Sequence, residues 1–347
     1  MIEIDGSYLE GGGQILRTAT ALSAITGKPC RIFNIRKSRP KPGLMTQHLV
    51  GIRALSRLCN GYLEGAELGS EEIKFYPGKI YRGPTSVNSV NVKIETAGSI
   101  TLVLQSLILA SIFSAGPVKI TFDGGATDTF FSPTIDYFRY IFLKILEKIG
   151  GKVEISILKR GFYPSGGAKV EAKIYPCPKL NSLNLLDRGV LKQIKIISGA
   201  SDSLKNKKVA ERQISGVKEI LGKLKLPLEE KIEYYQTDSP GSQICLVAEF
   251  ENTVIGTDNL GKLGKQAEDV GKEAALKLLK EQKTEACLDE HSADQILPYL
   301  ALAEGQSQVT VSEITNHCKT NIWVIEKFLD GKFEIDGNLI KWIPIKT

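Results

Sequence analysis

This 347-residue sequence has no long apolar run and no closely paired cysteines, only a few histidines and no strong excess of one charge. No apolar run reaches the roughly 18 residues that a bilayer crossing needs, so no membrane span is expected. The opening MIEIDGSYLEGGG has no basic stretch leading into an apolar one, so no secretory leader is expected either. The six cysteines (Cys30, Cys59, Cys177, Cys245, Cys287, Cys318) are scattered without a CxxC pair. That excludes a disulfide framework and a zinc-ribbon pattern, and points to a reducing, cytoplasmic setting. Only three histidines occur, His48, His291 and His317, and none stands in an HxH or HxxxH spacing that would hold a metal. The net charge of +6 permits a polyanionic partner without demanding one. A hydrophobic content of 42% with 24% charged residues is that of a globular chain.

What is present is repetition. A strand near Ile2–Ile4 leads to Gly11-Gly12-Gly13-Gln14 and an apolar helix to about Leu22; a strand (30–35), a helix (45–58) and strand-like segments before Pro84 follow. The alternating 90–95 leads to Thr96-Ala97-Gly98-Ser99 and a helix to Phe113, then a strand (118–122), a helix (133–149) and two strands (153–158, 168–174). A third helix starts near Ser292, followed by a strand (308–311), a helix (320–329) and two short strands ending near Ile345. Gly13 and Gly98 are 85 residues apart, whereas Gly98 and Ser292 are 194 apart. The surplus of 109 residues is about the size of a small domain. The sequence therefore predicts a large domain from 1–184 and 285–347 with an inserted small α/β domain, 185–284, bounded by the Pro/Asn/Ser-rich 176–184. Within the insertion the pattern predicts a strand (191–198), a helix (204–224), strands (231–236, 243–250) and a helix (261–280). The class is α/β.

Four segments carry candidate chemistry. His317 stands in TNHCKTN ahead of a helix, and a neutral imidazole suits nucleophilic or proton-transfer work. Glu10-Gly11-Gly12-Gly13-Gln14 opens a helix whose free N–H groups suit a phosphate, although it is not a Walker loop; Arg17 lies one turn further on. Arg36-Lys37-Ser38-Arg39-Pro40-Lys41-Pro42-Gly43 concentrates four positive charges on a stiffened loop. Arg160-Gly161-Phe162-Tyr163-Pro164-Ser165-Gly166-Gly167 is a second glycine-rich turn carrying an arginine. Taken singly, each is a weak signal with a plain structural reading beside it, and Cys318 beside His317 reads as a small buried hydrophobe.

Together these segments resemble one family. DGSYLEGGGQILRTA, RKSRPKPGLMTQH, TAGSITLVLQ, RGFYPSGGA, HSADQ and NHCKTN occur in the order and spacing of RNA 3′-terminal phosphate cyclases, across essentially the whole chain. The resemblance implies three βαβαββ-type units with a smaller α/β domain inserted before the last. It also implies a ligase-type enzyme that uses ATP to convert an RNA 3′-terminal phosphate to a 2′,3′-cyclic phosphate through a histidine–AMP intermediate. By position His317 matches the adenylated histidine, and Glu10 the carboxylate that helps to hold Mg²⁺ or Mn²⁺ on the ATP phosphates. Arg17, Arg36, Arg39 and Gln47 match the set facing the RNA phosphate. Gln105, Pro133, His291, Asp294 and Gln295, with Ser292 and Ala293 between, match the ATP pocket, His291 falling where some members place a ring against adenine. Ala168 departs from the pattern, standing where the family's turn usually has a third glycine. The implied partners are ATP and RNA with a 3′-terminal phosphate, in the cytoplasm; the oligomeric state, a homodimer included, is left open. The rivals are the family's inactive branch acting in ribosomal RNA processing, which lacks the nucleophilic histidine, and the enolpyruvyl transferases.

Overall fold

A computed structural model describes residues 1–80, 88–224 and 226–345. Three sheets share one topology. In the first, Ile2–Asp5 pairs in parallel with Cys30–Phe33, which pairs antiparallel with Ile73–Tyr76 and that in turn with Tyr62–Glu64. In the second, Asn88–Ser99, Val118–Ala126, Lys169–Tyr175 and Lys152–Lys159 follow the same order and directions. In the third they are Asn184–Leu185, Ser307–Thr310, Leu339–Pro344 and Gly331–Asp336. The chain is thus a mixed α/β fold of recurrent units. The part of the first unit read as leading to Pro84 lies, from residue 81, outside the described residues.

Local chemistry accounts for most elements. Along Asn88–Ser99, Val90, Val92 and Ile94 face the core while Asn91, Lys93 and Glu95 face water, the period-2 signature of a half-buried strand. The Gly13–Thr26 helix ends at Gly27, which takes the left-handed conformation (φ +71°) and donates its N–H to the Ser23 carbonyl at 2.9 Å. Ala168 is fully buried in the main core, so the turn accommodates its methyl group.

Several boundaries differ from the sequence reading. Val254–Leu260, given no element in the sequence reading, is a strand antiparallel to Ser242–Phe250, and the helix read from 261 begins only at Ala267. The strand buries the consecutive Ile255, Gly256 and Thr257 and continues with polar Asp258 and Asn259, so it shows no apolar alternation. The long helix read at 204–224 is a 3₁₀ turn (Asp202–Lys207) and an α-helix (Val209–Leu221) joined at Lys208, whose φ is +49°. Asn184–Leu185 opens the third unit, yet two residues are too few to leave a pattern. The last long helix starts at Asn316 rather than Thr320, because the Thr315 hydroxyl accepts from the Cys318 N–H at 3.1 Å.

The segment after Leu185 builds a separate hydrophobic cluster, with Ile194, Ile196, Ile214, Leu246, Val270 and Leu278 at its centre. Its sheet, Leu228–Tyr235, Leu191–Ser201, Ser242–Phe250 and Val254–Leu260, has a different strand order from the other three. A buried ionic network crosses the seam between the two cores. Arg160 reaches Asp136 at 2.6 Å and Asp128 at 3.1 Å, and its guanidinium lies 4.5 Å from the Tyr235 ring centre. Gln243, from the Ser242–Phe250 strand of this fourth sheet, donates to Asp136 at 2.9 Å. Arg160, Asp128 and Asp136 are all at most 3% exposed, so neither partner can be lost cheaply.

Candidate active site

The site forms where the helix starts of different units meet. His317 lies in the first turn of Asn316–Phe328, packed against Gly13–Thr26. Gln14 grips it twice. The Gln14 side-chain N–H donates to the His317 backbone carbonyl at 2.8 Å, and the Gln14 carbonyl oxygen faces His317 Nδ1. A backbone carbonyl only accepts, so the amide orientation is fixed, and the Gln14 oxygen must receive a proton from Nδ1. In the neutral ring that leaves the lone pair on Nε2. Nε2 faces Glu10, 3.1 Å from its Oε2, while Asp294 Oδ2 stands 3.8 Å from Nδ1. One turn on, Thr18 donates to Asn321 at 2.8 Å, and Asn321 donates to the Asp294 carbonyl at 2.7 Å. The loop bearing Glu10 is pinned to the same helix by Tyr8 stacking on Trp323, 4.3 Å between ring centres and 16° from parallel.

Gly13 is required by contact: a β-carbon there would collide with His48 Nε2. His48 is buried and its Nδ1 accepts the Met45 N–H at 3.2 Å, closing the start of the Thr46–Leu58 helix. Burial, aided by the charges of Arg17 and Arg36, pushes its pKa down to about 3. His48 is therefore a neutral spacer.

The cations divide. Arg17 donates through Nε to Gln105 at 3.2 Å; burial lowers its pKa to about 10 against the opposing pull of Asp294, so it stays charged. Arg39 Nη2 approaches Glu10 Oε2 at 3.5 Å and thus reaches the centre. Arg36 turns inward, its Nη1 donating to the carbonyls of Lys41 (2.7 Å) and Gly43 (3.0 Å) and bracing the basic loop. Gln47 accepts the Ser99 N–H at 3.1 Å. The Ser99 and Thr101 hydroxyls share a hydrogen bond at 2.9 Å, and Thr101 donates to the Pro133 carbonyl at 2.9 Å. One polar line thus joins Gln47 to Pro133.

The segment Asp289–Gln295 faces Pro133's loop. Asp289 caps the Glu290–Leu302 helix, accepting from His291 (3.1 Å) and Ser292 (2.9 Å), and also receives the Tyr137 hydroxyl and the Gly256 N–H (3.0 Å). The exposed His291 ring stands edge-on to Tyr137 at 6.2 Å, and Gln295 donates back to the His291 carbonyl at 2.7 Å. Ser292 and Ala293 point into the core, fully buried, and support the pocket from behind. Asp258, from the Val254–Leu260 strand of the fourth sheet, accepts the Thr134 N–H at 2.7 Å. Gln14, Tyr137, Asp258 and Asp289 escaped sequence reasoning. Gln14 follows the glycines already singled out, and Asp289 has the signature of a helix cap. Asp258 left no signal.

Charge and burial tune the three central groups. Burial lowers the His317 pKa; Glu10 opposes, while Arg17, Arg39 and His291 add to the lowering, so the ring is neutral at pH 7. Burial raises the Asp294 carboxyl to about 7, His291 and Arg17 opposing. Burial pulls His291 down, but Asp289, Glu290, Asp258 and Asp294 outweigh it and its pKa is raised. Cys318 is buried, with its thiol pushed up to about 12, and is no nucleophile. Among the described residues no three His, Cys, Asp or Glu side chains form a metal cage. A single forward-facing carboxylate such as Glu10 instead fits a hard cation that arrives with phosphate oxygens and completes its shell with them and water.

A neutral histidine with an oriented lone pair, ringed by a carboxylate and two arginines, is a centre suited to nucleophilic attack on phosphorus. The chain belongs to the RNA 3′-terminal phosphate cyclase family, whose family model matches residues 8–335. It is 46% identical over 347 residues to the RNA 3′-terminal phosphate cyclase of Pyrococcus abyssi, covering 100% of this chain and 98% of that one. Identity is 47% over 341 residues with the protein of the same name from Thermococcus kodakarensis (98% and 96% covered), and 45% over 344 residues with that of Methanopyrus kandleri (97% and 96%). No helix among the described residues is long and apolar enough to cross a membrane.

Proposed function

We propose that the chain is a cytoplasmic, ligase-type enzyme that converts an RNA 3′-terminal phosphate to a 2′,3′-cyclic phosphate with ATP, through AMP carried on His317. The observation that carries this reading is the two-point grip of Gln14 on a neutral His317, which frees Nε2 for attack. In the first step Nε2 bonds to the α-phosphorus and the bond to the bridging oxygen breaks, releasing pyrophosphate. The Nδ1 proton stays on the ring and its hydrogen bond to Gln14 strengthens as positive charge develops. In the second step an oxygen of the RNA 3′-phosphate takes the AMP from Nε2. In the third the neighbouring 2′-hydroxyl attacks that phosphate, losing its proton, and AMP leaves. A terminal phosphate is a poor electrophile until AMP is attached as a leaving group.

Pro133, His291 and Gln295 would hold the adenosine, with Asp294 and Gln105 beside it and Ser292 and Ala293 behind. Arg17, Arg39 and Gln47 would hold phosphate oxygens, Arg36 bracing the loop that presents Arg39. Glu10 would hold Mg²⁺ or Mn²⁺, which when bound offsets negative charge on the triphosphate. The division into 1–184 with 285–347 and an inserted 185–284 belongs to the same reading. RNA bearing a labelled 3′-phosphate tests the proposal: with ATP the label should become resistant to phosphatase, as a cyclic phosphate is. A label that stays phosphatase-sensitive with ATP and either metal would contradict it.

A further inference from the structure

Phe131 stands wholly in water, 102% exposed, and does so in the left-handed backbone region (φ +63°). A bulky side chain gains nothing from either condition. Looseness of the loop is not the reason, because the loop is tied at successive residues. Ser132 donates to the Thr129 carbonyl at 2.9 Å, the Pro133 carbonyl accepts from Thr101 at 2.9 Å, and Thr134 donates to Asp258 at 2.7 Å. Ile135 donates to the Thr127 carbonyl at 3.0 Å and to Asp128 at 3.2 Å. The fold therefore holds the ring out deliberately, with Phe130 beside it at 44% exposure.

The loop's position names the occupant. Pro133, two residues on, ends the polar line that runs back through Thr101 and Ser99 to Gln47, so Phe131 stands on the rim of the site. The site supplies cations: Arg39 reaches the centre, and exposed Lys277 lies 3.5 Å from the carbonyl of Asp258, the residue that holds Thr134. An occupant here presents a flat apolar face and a negatively charged backbone. In the reaction proposed above, on which this inference rests, the ATP adenine already has His291 and Pro133, whereas the RNA has no protein surface beyond its phosphate.

We propose that Phe131, flanked by Phe130, is a stacking platform for a nucleobase near the 3′ end of the RNA substrate. Such a contact is sequence-tolerant, since every base has a π-face, and so suits an enzyme that acts on RNA ends.

The test is a single-turnover chase of preformed, labelled enzyme–AMP with a 3′-phosphorylated oligoribonucleotide at varied concentration. In Phe131→Ala the RNA concentration for half-maximal discharge should rise about tenfold, the effect of losing one base–aromatic stack. Phe131→Trp should restore it and Phe131→Leu should not, while formation of enzyme–AMP keeps the wild-type dependence on ATP. Three outcomes overturn the proposal: an unchanged RNA dependence, full rescue by Leu, or a raised ATP requirement in place of the RNA effect. Light scattering supplies a fourth, a wild-type dimer that Phe131→Ala dissociates, which would make the ring an interface between copies. Should the wild type take no label from ATP, the reaction itself is misread. Fluorescence anisotropy of the same oligonucleotide then still decides the platform, with equal affinity for wild type and Phe131→Ala counting against it.

Discussion

Replacing Gln14 with Leu removes the grip on His317 while nearly preserving volume. Gln14 is buried and makes two contacts to His317, one from its N–H to the backbone carbonyl at 2.8 Å and one from its carbonyl to Nδ1. The first is a neutral hydrogen bond, worth about 1 kcal/mol net. The second is worth more during reaction, because attack through Nε2 makes the ring cationic, and hydrogen bonds to charged groups contribute about 1.5–3 kcal/mol. Only that part differs between ground and transition states, so the adenylation rate constant should fall about tenfold to a hundredfold. Gln14→Glu keeps an acceptor for Nδ1 but sets a carboxylate oxygen against the His317 carbonyl, so it should recover little. The assay is rapid-quench labelling with α-labelled ATP at saturation, with thermal melting to confirm that the variants fold. Gln14→Leu labelling at the wild-type rate would refute the claim that this amide sets the tautomer.

The remaining predictions concern charge. Asp294 is raised to about 7, so the adenylation rate should rise with pH through that region as the carboxylate forms beside Nδ1–H, above the acid limb set by the lowered pKa of His317; Asp294→Asn should remove the inflection near 7. An unchanged pH profile would exclude Asp294 from the step. Glu10→Ala should slow adenylation and be partly restored by excess Mn²⁺ or Mg²⁺; metal titrations that coincide with wild type would remove Glu10 from the site. Arg160→Met leaves Asp128 and Asp136 buried without their cation and should cost about 3–5 kcal/mol in urea unfolding. Because burial raises the Asp128 pKa, the loss should shrink as pH falls and that carboxyl protonates; a loss independent of pH would mean the network acts through packing alone.

Repetition and the glycine-led helix starts were legible because each is written in local residues. So was the alternation of Val90, Val92 and Ile94. Legibility failed where tertiary contact decides. Asn184–Leu185 is a strand only because Ser307–Thr310 lies beside it, and Val254–Leu260 buries the consecutive Ile255, Gly256 and Thr257 rather than alternate residues. At the site, His317, Glu10 and Arg39 converge as the sequence suggested, whereas Arg36 spends one nitrogen on its own loop. Gln14 is separated from His317 by 303 residues, and no local pattern announces so distant a partnership. Asp258 comes from a different core altogether, so its bond to Thr134 could emerge only from the packed fold.

The central claim is that His317 Nε2 carries AMP. Incubating the protein with α-labelled ATP and a divalent cation, then digesting and mapping the label, tests it most directly. The expected result is an acid-labile, alkali-stable label on the peptide containing His317, the behaviour of a phosphorus–nitrogen bond, and no label in folded His317→Ala. Label that persists in His317→Ala, or maps to another residue, would contradict the account.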